Sequence, residues 1–527
     1  ATDADGDAIT YSLASGGNND YFEIVSGTTL KLKSGVSGNY ELDNSYLITV
    51  NATDGSFTTS LDTLINVTNV NEANASTHNA KADAALSATL NAGNDAAVEN
   101  LMSGHFWGVA GRGIDLNYSF MTTSSSFNDT QYASQNKTAI KNGVQNASTE
   151  LKAAVVNAFE DFSSVSLLNF TEVADDGNGV GHLRFGSTTV ETSGFAWYPS
   201  PNWDPSGDIW LNSIGDDYND AALLKDGTYW NTTITHEIGH AVGLAHTQDA
   251  SQLNARTYGS DTTTGSIHNS NPYSAMAYAE FDGDSVGNGK SNMISSYTTL
   301  MIDDIAAIQH LYGVNEQYKT GNDVYTLGSF DEGTTVADNY IYATIWDAGG
   351  TDTISWATQS TVASINLAAG GYCYFGDITS TSDTDLGDAY FAAGSGILGI
   401  AHNVVIENAI GGSALDTVVG NSAANILYGG GGAGIKDTLT GNGGADTFVC
   451  SLTDAVTTLA LADTITDFTN GTDLIGLEDR QWSDLTIANS SGNTQIIDTS
   501  SNKVLFVLDT FDFNLIDSTD FVVTDFV

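Results

Sequence analysis

The segment 236–246 has the residue types and spacing that point most directly to chemistry. It reads HEIGHAVGLAH and fits the pattern H-E-x-x-H-x-x-G-x-x-H at every fixed position. On a helix, His236 and His240 lie on one face, one turn apart, where two imidazoles can share a tetrahedral zinc ion. Gly243 permits a positive φ, so the helix can stop and the chain can turn back to bring in His246 as a third ligand. Three protein ligands leave a fourth position open, which is the arrangement of catalytic zinc.

Glu237, Met276 and Tyr278 extend this candidate centre. Glu237 lies beside the histidines, placed to act as a base rather than as a ligand. Met276 alone would indicate core packing, but after this signature it resembles the Met-turn that supports the histidines in metzincins. Tyr278 offers a phenol that can touch the metal or a developing oxyanion. The alternatives are histidines on a solvated helix or a motif that has lost its metal, and retention of every required residue disfavours both.

Helices and strands that could position these residues are predicted from 138 onwards. Apolar residues recur at helical spacing over 138–162, 229–244 and 301–312. Strand-like runs occupy 183–185, 194–198 and 208–212. This mixture predicts an α+β catalytic domain over 96–315.

The first part of the chain has a different pattern. Short runs of β-formers, separated by Asn, Asp and Gly, predict a small antiparallel sandwich over 1–72, with strands at 9–13, 28–33, 46–52 and 61–70. The Ala-, Asn- and Ser-rich stretch 73–95 is predicted to be a linker.

After Gly313 helical periodicity ends, and 411–449 repeats with a period near nine residues. Such a period is typical of a parallel β-roll, whose repeat G-G-x-G-x-D-x-U-x binds calcium through loop carbonyls and the aspartate. Asn425 replaces the aspartate in one unit, and Ala414 and Leu415 interrupt another, so we expect fewer calcium ions than in a regular roll. A roll without metal remains the alternative. The candidate calcium residues are Gly411, Asp416, Gly429, Gly431, Asp437, Gly441, Gly443 and Asp446.

Composition excludes several classes of protein. The chain has 15 Lys and Arg against 64 Asp and Glu, a net charge of −49, so nucleic acids and anionic membranes would be repelled. Its hydrophobic share of 41% argues for a packed chain rather than an acidic disordered one. No apolar run is long enough for a transmembrane helix. Cys373 and Cys450 are not in a CxxC pattern, and a disulfide and free thiols both remain open.

Together these residues resemble the serralysins, secreted bacterial zinc proteases of the metzincin group. The likeness covers roughly 100–480 and includes the zinc motif and the segments 273–278, 303–313, 345–353 and 406–412. It implies that His236, His240 and His246 hold one catalytic zinc, with Tyr278 as a movable ligand and Glu237 as the general base. It also implies that an edge strand pairs with an extended substrate, the alternative being an ordinary amphipathic strand. That strand comprises Gly194, Phe195, Ala196, Trp197 and Tyr198.

The resemblance also implies several structural calcium ions at the start of the C-terminal domain. One site would combine residues from two segments, and its neighbour would share one of its aspartates. The first set is Lys319, Gly321, Asp323, Asp347, Gly349 and Asp352, and the second is Gly350, Asp352 and Glu407.

The two ends of the chain carry weaker resemblances. The last residues, 520–527, resemble the uncleaved C-terminal signal of type I secretion substrates, with an ordinary last strand as the alternative. Acidic segments at 3–7, 40–41, 52–55 and 69–72 resemble a bacterial cadherin-like repeat that lacks its first strand, so a bound ion and a solvated turn both remain open. No basic-then-apolar leader is present, and we expect any other export signal to be removed or to lie elsewhere.

The sequence therefore predicts a multidomain protein. Its parts are an N-terminal immunoglobulin-like, cadherin-like β-sandwich at 1–72, a linker at 73–95, a metzincin domain at 96–315, and a calcium-binding roll with a secretion signal at 316–527. The predicted function is that of a secreted, monomeric zinc endopeptidase of broad specificity from a Gram-negative and marine bacterium, exported by type I machinery. The alternatives are a calcium-dependent adhesion protein with an inactive protease core, and a zinc hydrolase with another substrate.

Overall fold

The structure is a computed structural model of the 527-residue chain. It describes parts of the first hundred residues and most of the chain from Leu101 to Thr524. The residues outside this description are 1–8, 16, 26, 34–44, 55–56, 67–84, 88–97, 99–100, 136, 176–179, 190–193, 201–202, 213–217, 219, 248–267, 279–296, 331–339, 377–394, 433, 479 and 525–527.

The N-terminal unit consists of two small antiparallel sheets. One has the order β1-β4-β5 and the other is the hairpin β2-β3, and buried Phe22, Tyr46 and Ile48 form a core between them. Four of the five strands overlap the predicted positions, whereas the strand at 22–25 was not predicted, and 67–70 of the last predicted strand lie outside the described residues. The acidic segments 3–7, 40–41 and 69–72 lie outside the described residues. The strands are β1 (Thr10–Leu13), β2 (Phe22–Val25), β3 (Thr29–Leu32), β4 (Ser45–Thr53) and β5 (Thr58–Asn66).

The stretch 73–95, predicted to be a linker, contains a short strand. This strand, β6 (Ala85–Ser87), pairs antiparallel with β7 (His105–Trp107). A single strand held by backbone hydrogen bonds needs no apolar pattern, so the composition did not reveal it. Apart from these three residues, 73–95 lies outside the described part of the chain.

The middle part of the chain is built on a sheet with the order β10-β8-β11-β13-β12, and β9 pairs with β11 beside this path. The strands run parallel except for β9 and β12, and β12 forms one edge. The strands are β8 (Ile114–Phe120), β9 (Val144–Gln145), β10 (Leu168–Glu172), β11 (Leu183–Thr188), β12 (Gly194–Ala196) and β13 (Asp208–Asn212). The helices are α1 (Asp129–Ser134), α2 (Thr138–Asn142), α3 (Thr149–Val165), α4 (Tyr229–Ala241) and α5 (Ile302–Tyr312).

The prediction of one continuous helix over 138–162 is wrong, because the structure divides this stretch between two helices. The stretch 138–162 forms α2 and α3, with Gly143 at the C-cap of α2 and β9 between the helices. The side chain of Ser148 accepts a hydrogen bond from the Leu151 N–H and starts α3. A good N-cap therefore begins a new helix where the apolar spacing alone favours one continuous helix.

The C-terminal region is a parallel roll, as the nine-residue period predicted. The strands form a seven-stranded sheet, β14-β16-β20-β22-β24-β26-β30, and a ten-stranded sheet, β15-β19-β18-β17-β21-β23-β25-β29-β28-β27. From β19 to β27 successive strands alternate between the two sheets, whereas β17-β18-β19 and β27-β28-β29 are antiparallel neighbours within the ten-stranded sheet. Fully buried apolar side chains from the short strands fill the space between the sheets, among them Val418, Leu427, Leu439 and Phe448.

The roll's strands are short within the repeat, and the longest ones, of six residues, are β15, β19, β27, β28 and β29. They are β14 (Val324–Tyr325), β15 (Tyr340–Ile345), β16 (Thr353–Ser355), β17 (Ala363–Asn366), β18 (Tyr372–Phe375), β19 (Ser395–Ile400), β20 (Asn408–Ile410), β21 (Thr417–Val419), β22 (Ile426–Tyr428), β23 (Thr438–Thr440), β24 (Thr447–Cys450), β25 (Asp463–Ile465), β26 (Leu474–Leu477), β27 (Leu485–Ser490), β28 (Asn493–Asp498), β29 (Lys503–Leu508) and β30 (Phe521–Val523).

The structure answers two questions that the sequence leaves open. Cys373 on β18 and Cys450 on β24 are both buried free thiols, so they do not form a disulfide. Among the described residues, none of the helices has the length and apolar character needed to span a membrane.

Candidate active site

Helix α4 presents the zinc-motif residues and ends where the chain must turn. Thr228 caps its start by accepting a hydrogen bond from the Asn231 N–H. At its end Gly243 has φ +111°, and the Leu244 N–H donates to the Gly239 carbonyl at 2.8 Å. A Cβ atom on Gly243 would lie 2.3 Å from the His105 carbonyl oxygen, so both the backbone conformation and the space require glycine.

We expect Gly243→Ala to lower the free energy of unfolding by at least about 2 kcal/mol, because it adds a steric clash to positive-φ strain. Urea unfolding with zinc and calcium held constant measures this loss. Gly471→Ala is the matched control, since Gly471 has φ +74° but a Cβ atom added there would meet nothing within 4 Å. Equal losses in the two variants would show that the contact with His105 contributes nothing.

The three histidines converge on one point. Their ligand nitrogens lie within 4.8 Å of one another, and Nε2 of His240 is 3.0 Å from Nε2 of His246. Nδ1 of His236 lies 2.8 Å from the Ala275 carbonyl oxygen, and Nδ1 of His240 lies 2.7 Å from the Leu244 carbonyl oxygen. A proton on each Nδ1 would leave both Nε2 lone pairs directed to the shared point.

This donor set fits a zinc ion. Burial lowers the pKa of His236 to about 4, with the neighbouring His246 adding to the effect. Burial also places the pKa of His240 well below its usual value. Neutral imidazoles whose second nitrogen is fixed by a carbonyl are what zinc coordination requires.

Glu237 is buried on the same helix, and its surroundings differ from those of a solvated carboxylate. Burial raises its pKa to about 8, opposed by a hydrogen bond from the Ala196 N–H. Its Oε2 is buried and has no hydrogen-bond partner among the described residues. The carboxyl group is therefore kept in a dry site, which strengthens its basicity.

Strand β12 lies against this helix and forms the edge of the sheet. A Cβ on Gly194 would lie 3.1 Å from Cγ of Glu237, so the strand backbone reaches the base closely. Tyr198, just beyond the strand, contacts His240 edge-on with ring centroids 5.4 Å apart. Phe195 and Trp197 instead pack against a separate apolar cluster that contains Trp210. The predicted strand 194–198 is thus shorter, ending at Ala196, and of its predicted residues Gly194 and Tyr198 lie beside the candidate centre.

Tyr278 is 52% exposed and lies beside the histidines. Its ring centroid is 4.5 Å from that of His246 and 6.0 Å from that of His236. The phenol thus lies at the solvent-exposed edge of the histidine cluster.

The turn at Met276 lies beneath the histidines and is held by Asp304, which lies in the segment 303–313 noted in the sequence but had no role predicted for it. Met276 is buried, and a Cβ on Gly239 would lie 2.6 Å from its sulfur. Asp304, fully buried on α5, accepts hydrogen bonds from Ser274 Oγ at 2.7 Å, the Ala275 N–H at 2.6 Å and the Met301 N–H at 3.0 Å. Asp304 therefore fixes the Ala275 peptide whose carbonyl orients His236.

Asp304 gives a prediction about pH. Burial raises its pKa to about 7, so between about pH 4 and pH 7 the folded chain holds a proton that the unfolded chain has lost. Stability falls as pH rises through this window. We expect Asp304→Asn, which keeps an acceptor but cannot ionise, to lack this fall, a difference of up to about 1.4 kcal/mol per pH unit. Urea unfolding at pH 5 and pH 8 measures it, with the exposed Asp129→Asn as control; a constant gap between wild type and Asp304→Asn would contradict it.

A second cluster of ligand-type residues lies at the start of the roll. Carboxylate oxygens of Asp323, Asp347 and Asp352 lie within 4.8 Å of one another. Oδ1 of Asp352 accepts the Asp323 N–H at 2.7 Å, while its Oδ2 is buried without a partner among the described residues. The Asp352 N–H donates to Glu407 Oε2 at 2.8 Å. These carboxylates, predicted from two distant segments, are brought together by the fold.

Backbone atoms of the two segments also lie close together around this carboxylate cluster. A Cβ on Gly350 would lie 1.8 Å from the Gly321 carbonyl oxygen, and the Gly349 N–H donates to Asp347 Oδ1 at 2.8 Å. Lys319 has φ 48°, and its carbonyl accepts the Ala348 N–H at 3.2 Å. Oxygen donors from carboxylates and carbonyls at short range are the ligands calcium prefers.

Farther along the roll, aspartate side chains of one coil accept hydrogen bonds from backbone N–H groups of the preceding coil. We call each such row of residues a ladder and each residue in it a rung. Asp437 Oδ1 accepts the Asp416 N–H at 2.8 Å, and on the other sheet Asp446 Oδ1 accepts the Asn425 N–H at 2.9 Å. Three of the predicted glycines pack against these aspartates: Gly411 lies close to Asp416, Gly429 to Asp437 and Gly441 to Asp446. The other two do not: Gly431 lies near Asp454, and the Gly443 N–H donates to the Asn421 carbonyl. No third group of three clustered ligand atoms occurs in the described part of the chain.

Two further rungs of these ladders were missed from the sequence. Asp463 Oδ1 accepts the Asp437 N–H, and Asp473 Oδ1 accepts the Asp446 N–H. Asp463-Thr-Ile and Asp473-Leu-Ile repeat the aspartate–x–apolar pattern, but at separations of 26 and 27 residues from the preceding rung. A search for aspartate–x–apolar triplets that did not require the nine-residue period would have found Asp463 and Asp473.

Two family models match the chain. "Peptidase M10 serralysin C terminal" matches 307–524 and "Matrixin" matches 125–273. Similar proteins include metallopeptidase AprA of Pseudomonas marginalis, 33% identical over 323 residues, or 58% of this chain and 60% of the relative. Serralysin B of Dickeya chrysanthemi is 33% identical over 334 residues, or 59% of this chain and 60% of the relative.

A second protein of Dickeya chrysanthemi, serralysin C, is 34% identical over 335 residues, 59% of this chain and 60% of that protein. The chain thus matches about three fifths of the length of these relatives. A solved structure, "Structure of myroilysin", aligns at 14% identity over 41% of this chain and 98% of that chain, with a TM-score of 0.25, which is too low to assign a fold. Over the residues that these models and relatives match, the chain is therefore similar to serralysin-type M10 metalloproteases.

Proposed function

We propose that this protein is a secreted zinc endopeptidase that hydrolyses peptide bonds with broad specificity. The observation that carries the proposal is the convergence of His236, His240 and His246 beside a buried Glu237 and the edge strand of a sheet. Zinc bound by the histidines would polarise the scissile carbonyl and lower the pKa of a water molecule. An adhesion protein with an inactive core is not favoured, because nothing required for this chemistry has been lost.

Glu237 acts as the general base in this proposal. Its carboxylate takes the proton of the attacking water and passes it to the leaving amine. The close approach of Gly194 places β12 next to this base, so a substrate paired with the strand would have its scissile bond near Glu237. The Tyr278 hydroxyl donates a hydrogen bond to the developing oxyanion.

Strand β12 binds the substrate as an added antiparallel strand. Among the described strands it pairs only with β13, which leaves its other edge for a peptide backbone. Main-chain hydrogen bonds do not distinguish side chains, and this supports broad specificity.

The acidic residues of the roll hold structural calcium in this proposal. Asp323, Asp347 and Asp352 form one site, while Gly350, Asp352 and Glu407 contribute to a neighbour. A roll that folds only when it binds calcium outside the cell would remain unfolded during export by type I machinery through the C-terminal tail. We also propose that 1–72 is a cadherin-like module, supported by its two small antiparallel sheets, and that the protein acts as an extracellular monomer.

Hydrolysis of casein and gelatin tests the proposal. We expect cleavage by the calcium-loaded protein, loss of cleavage with a zinc chelator, and recovery when zinc is returned. Cleavage that persists without zinc would refute the zinc mechanism. Absence of cleavage by zinc-loaded protein, with and without 1–95, would favour the adhesion function.

A further inference from the structure

The roll and the Met-turn share a small core of their own. Its buried side chains come from both regions, and the roll contributes Tyr342 from β15, Tyr372 from β18 and Ile397 from β19. The remaining members, from the catalytic domain, are Ala275, Tyr297, Met301 and Ile302, with half-buried Tyr273 packed against them. The turn that supports the zinc ligands is therefore packed against roll strands rather than against solvent.

Tyr372 joins the two regions by a specific hydrogen bond. Its hydroxyl donates to the Pro272 carbonyl at 2.6 Å, and its ring meets that of Tyr273 edge-on with centroids 5.0 Å apart. The side chain is only 7% exposed. Strand β18 is paired on both sides, with β17 and β19, so the hydroxyl is presented from a fixed strand.

From Pro272 a short path leads to the first histidine. Ala275, three residues along the turn, accepts the His236 imidazole N–H at 2.8 Å and the Tyr297 hydroxyl at 3.2 Å on the same carbonyl oxygen. Asp304 holds the Ala275 N–H from the other side. The Tyr372 bond thus fixes the start of a turn whose Ala275 peptide sets the orientation of His236.

We propose that Tyr372 is a positioning residue for the zinc centre, through which the folded roll holds the Met-turn and His236 in the geometry for metal binding. This inference rests on the proposed function. It assigns a role in the catalytic domain's metal site to a residue of the other domain. A metal ligand whose supporting hydrogen bonds are loosened binds zinc more weakly, commonly by a factor of about 10 to 100 when the direct partner is removed. Tyr372 acts through the intervening turn, so we expect a smaller effect.

The test compares Tyr372→Phe with Tyr374→Phe in the full-length, calcium-loaded protein. Tyr374 lies on the same strand but is 44% exposed, so it is a matched control. We expect Tyr372→Phe to weaken zinc affinity, measured by chelator competition, by roughly threefold to tenfold, and to alter the visible absorption of the cobalt-substituted protein. Tyr374→Phe should do neither. Equal zinc affinity in the two variants, whether unchanged or lowered, overturns the proposal.

A second measurement needs no variant. Amide hydrogen exchange in wild type, followed as calcium is withdrawn, should show protection of 273–278 and of β17–β19 being lost together. Met-turn protection that outlasts that of these strands overturns the proposal. Zinc affinity is measured without substrate, so a wild type that binds zinc but cleaves no protein would refute the proposed function and leave the role of Tyr372 intact.

Discussion

Glu237→Gln should lower kcat for peptide hydrolysis by roughly 10³-fold or more while the protein still binds zinc. The carboxylate is buried beside the histidines, and replacing it with an amide removes the base but keeps the side-chain shape. General-base catalysis contributes about 10² to 10⁴ in rate, and a base in a dry site lies toward the upper end. Initial rates on an internally quenched peptide, with zinc content measured on the same samples, separate loss of chemistry from loss of metal.

The control for this substitution is Glu160→Gln, an exposed glutamate on α3. It should leave both kcat and zinc content unchanged. Retention of more than about a tenth of wild-type kcat by zinc-loaded Glu237→Gln would show that another group takes the proton. A zinc content near zero would instead show that Glu237 supports the metal site, contrary to its assignment as a base.

Asp352→Asn should raise the calcium concentration at the midpoint of thermal stabilisation by about tenfold or more. The substitution keeps Oδ1, which accepts the Asp323 N–H, but replaces the buried and unpartnered Oδ2 with an amide that cannot bind a cation. A cation bound only by the folded state stabilises it by about 2.7 kcal/mol at a hundred times the dissociation constant. At a fixed low calcium concentration the variant should therefore melt at a clearly lower temperature.

The comparison is Asp509→Asn, an exposed aspartate at the end of β29. Its melting temperature should follow that of wild type at every calcium concentration. If Asp352→Asn were destabilised equally with and without calcium, the carboxylate would be a structural acceptor and the calcium assignment would be wrong.

The convergence of the three histidines beside Glu237 was predictable because one short segment holds all four residues, and helix geometry fixes their relation. Residues that act across the fold were harder to predict. Asp304 supports a turn 29 residues before it, and Tyr372 reaches Pro272 across 100 residues. Neither contact produces a pattern of closely spaced residues that could be recognised in the sequence. The roll was predicted from its period, but Asp463 and Asp473 were missed because the loops before them lengthen and the period ends.

Asn425 gives one of the roll's two ladders a rung that carries no charge. Its Oδ1 accepts the Asn421 N–H at 2.8 Å and its Nδ2 donates to the Glu407 carbonyl at 3.0 Å, so the rung is satisfied by the protein alone. Stacked coils are stabilised mainly by their nearest neighbours. The contacts that Asn425 makes with Glu407 and Asp446 therefore need no cation, whereas the ladder on the other sheet consists of the carboxylates of Asp416, Asp437 and Asp463. If the carboxylate rungs bind calcium as proposed, this ladder therefore has one rung that needs no ion to stay in place.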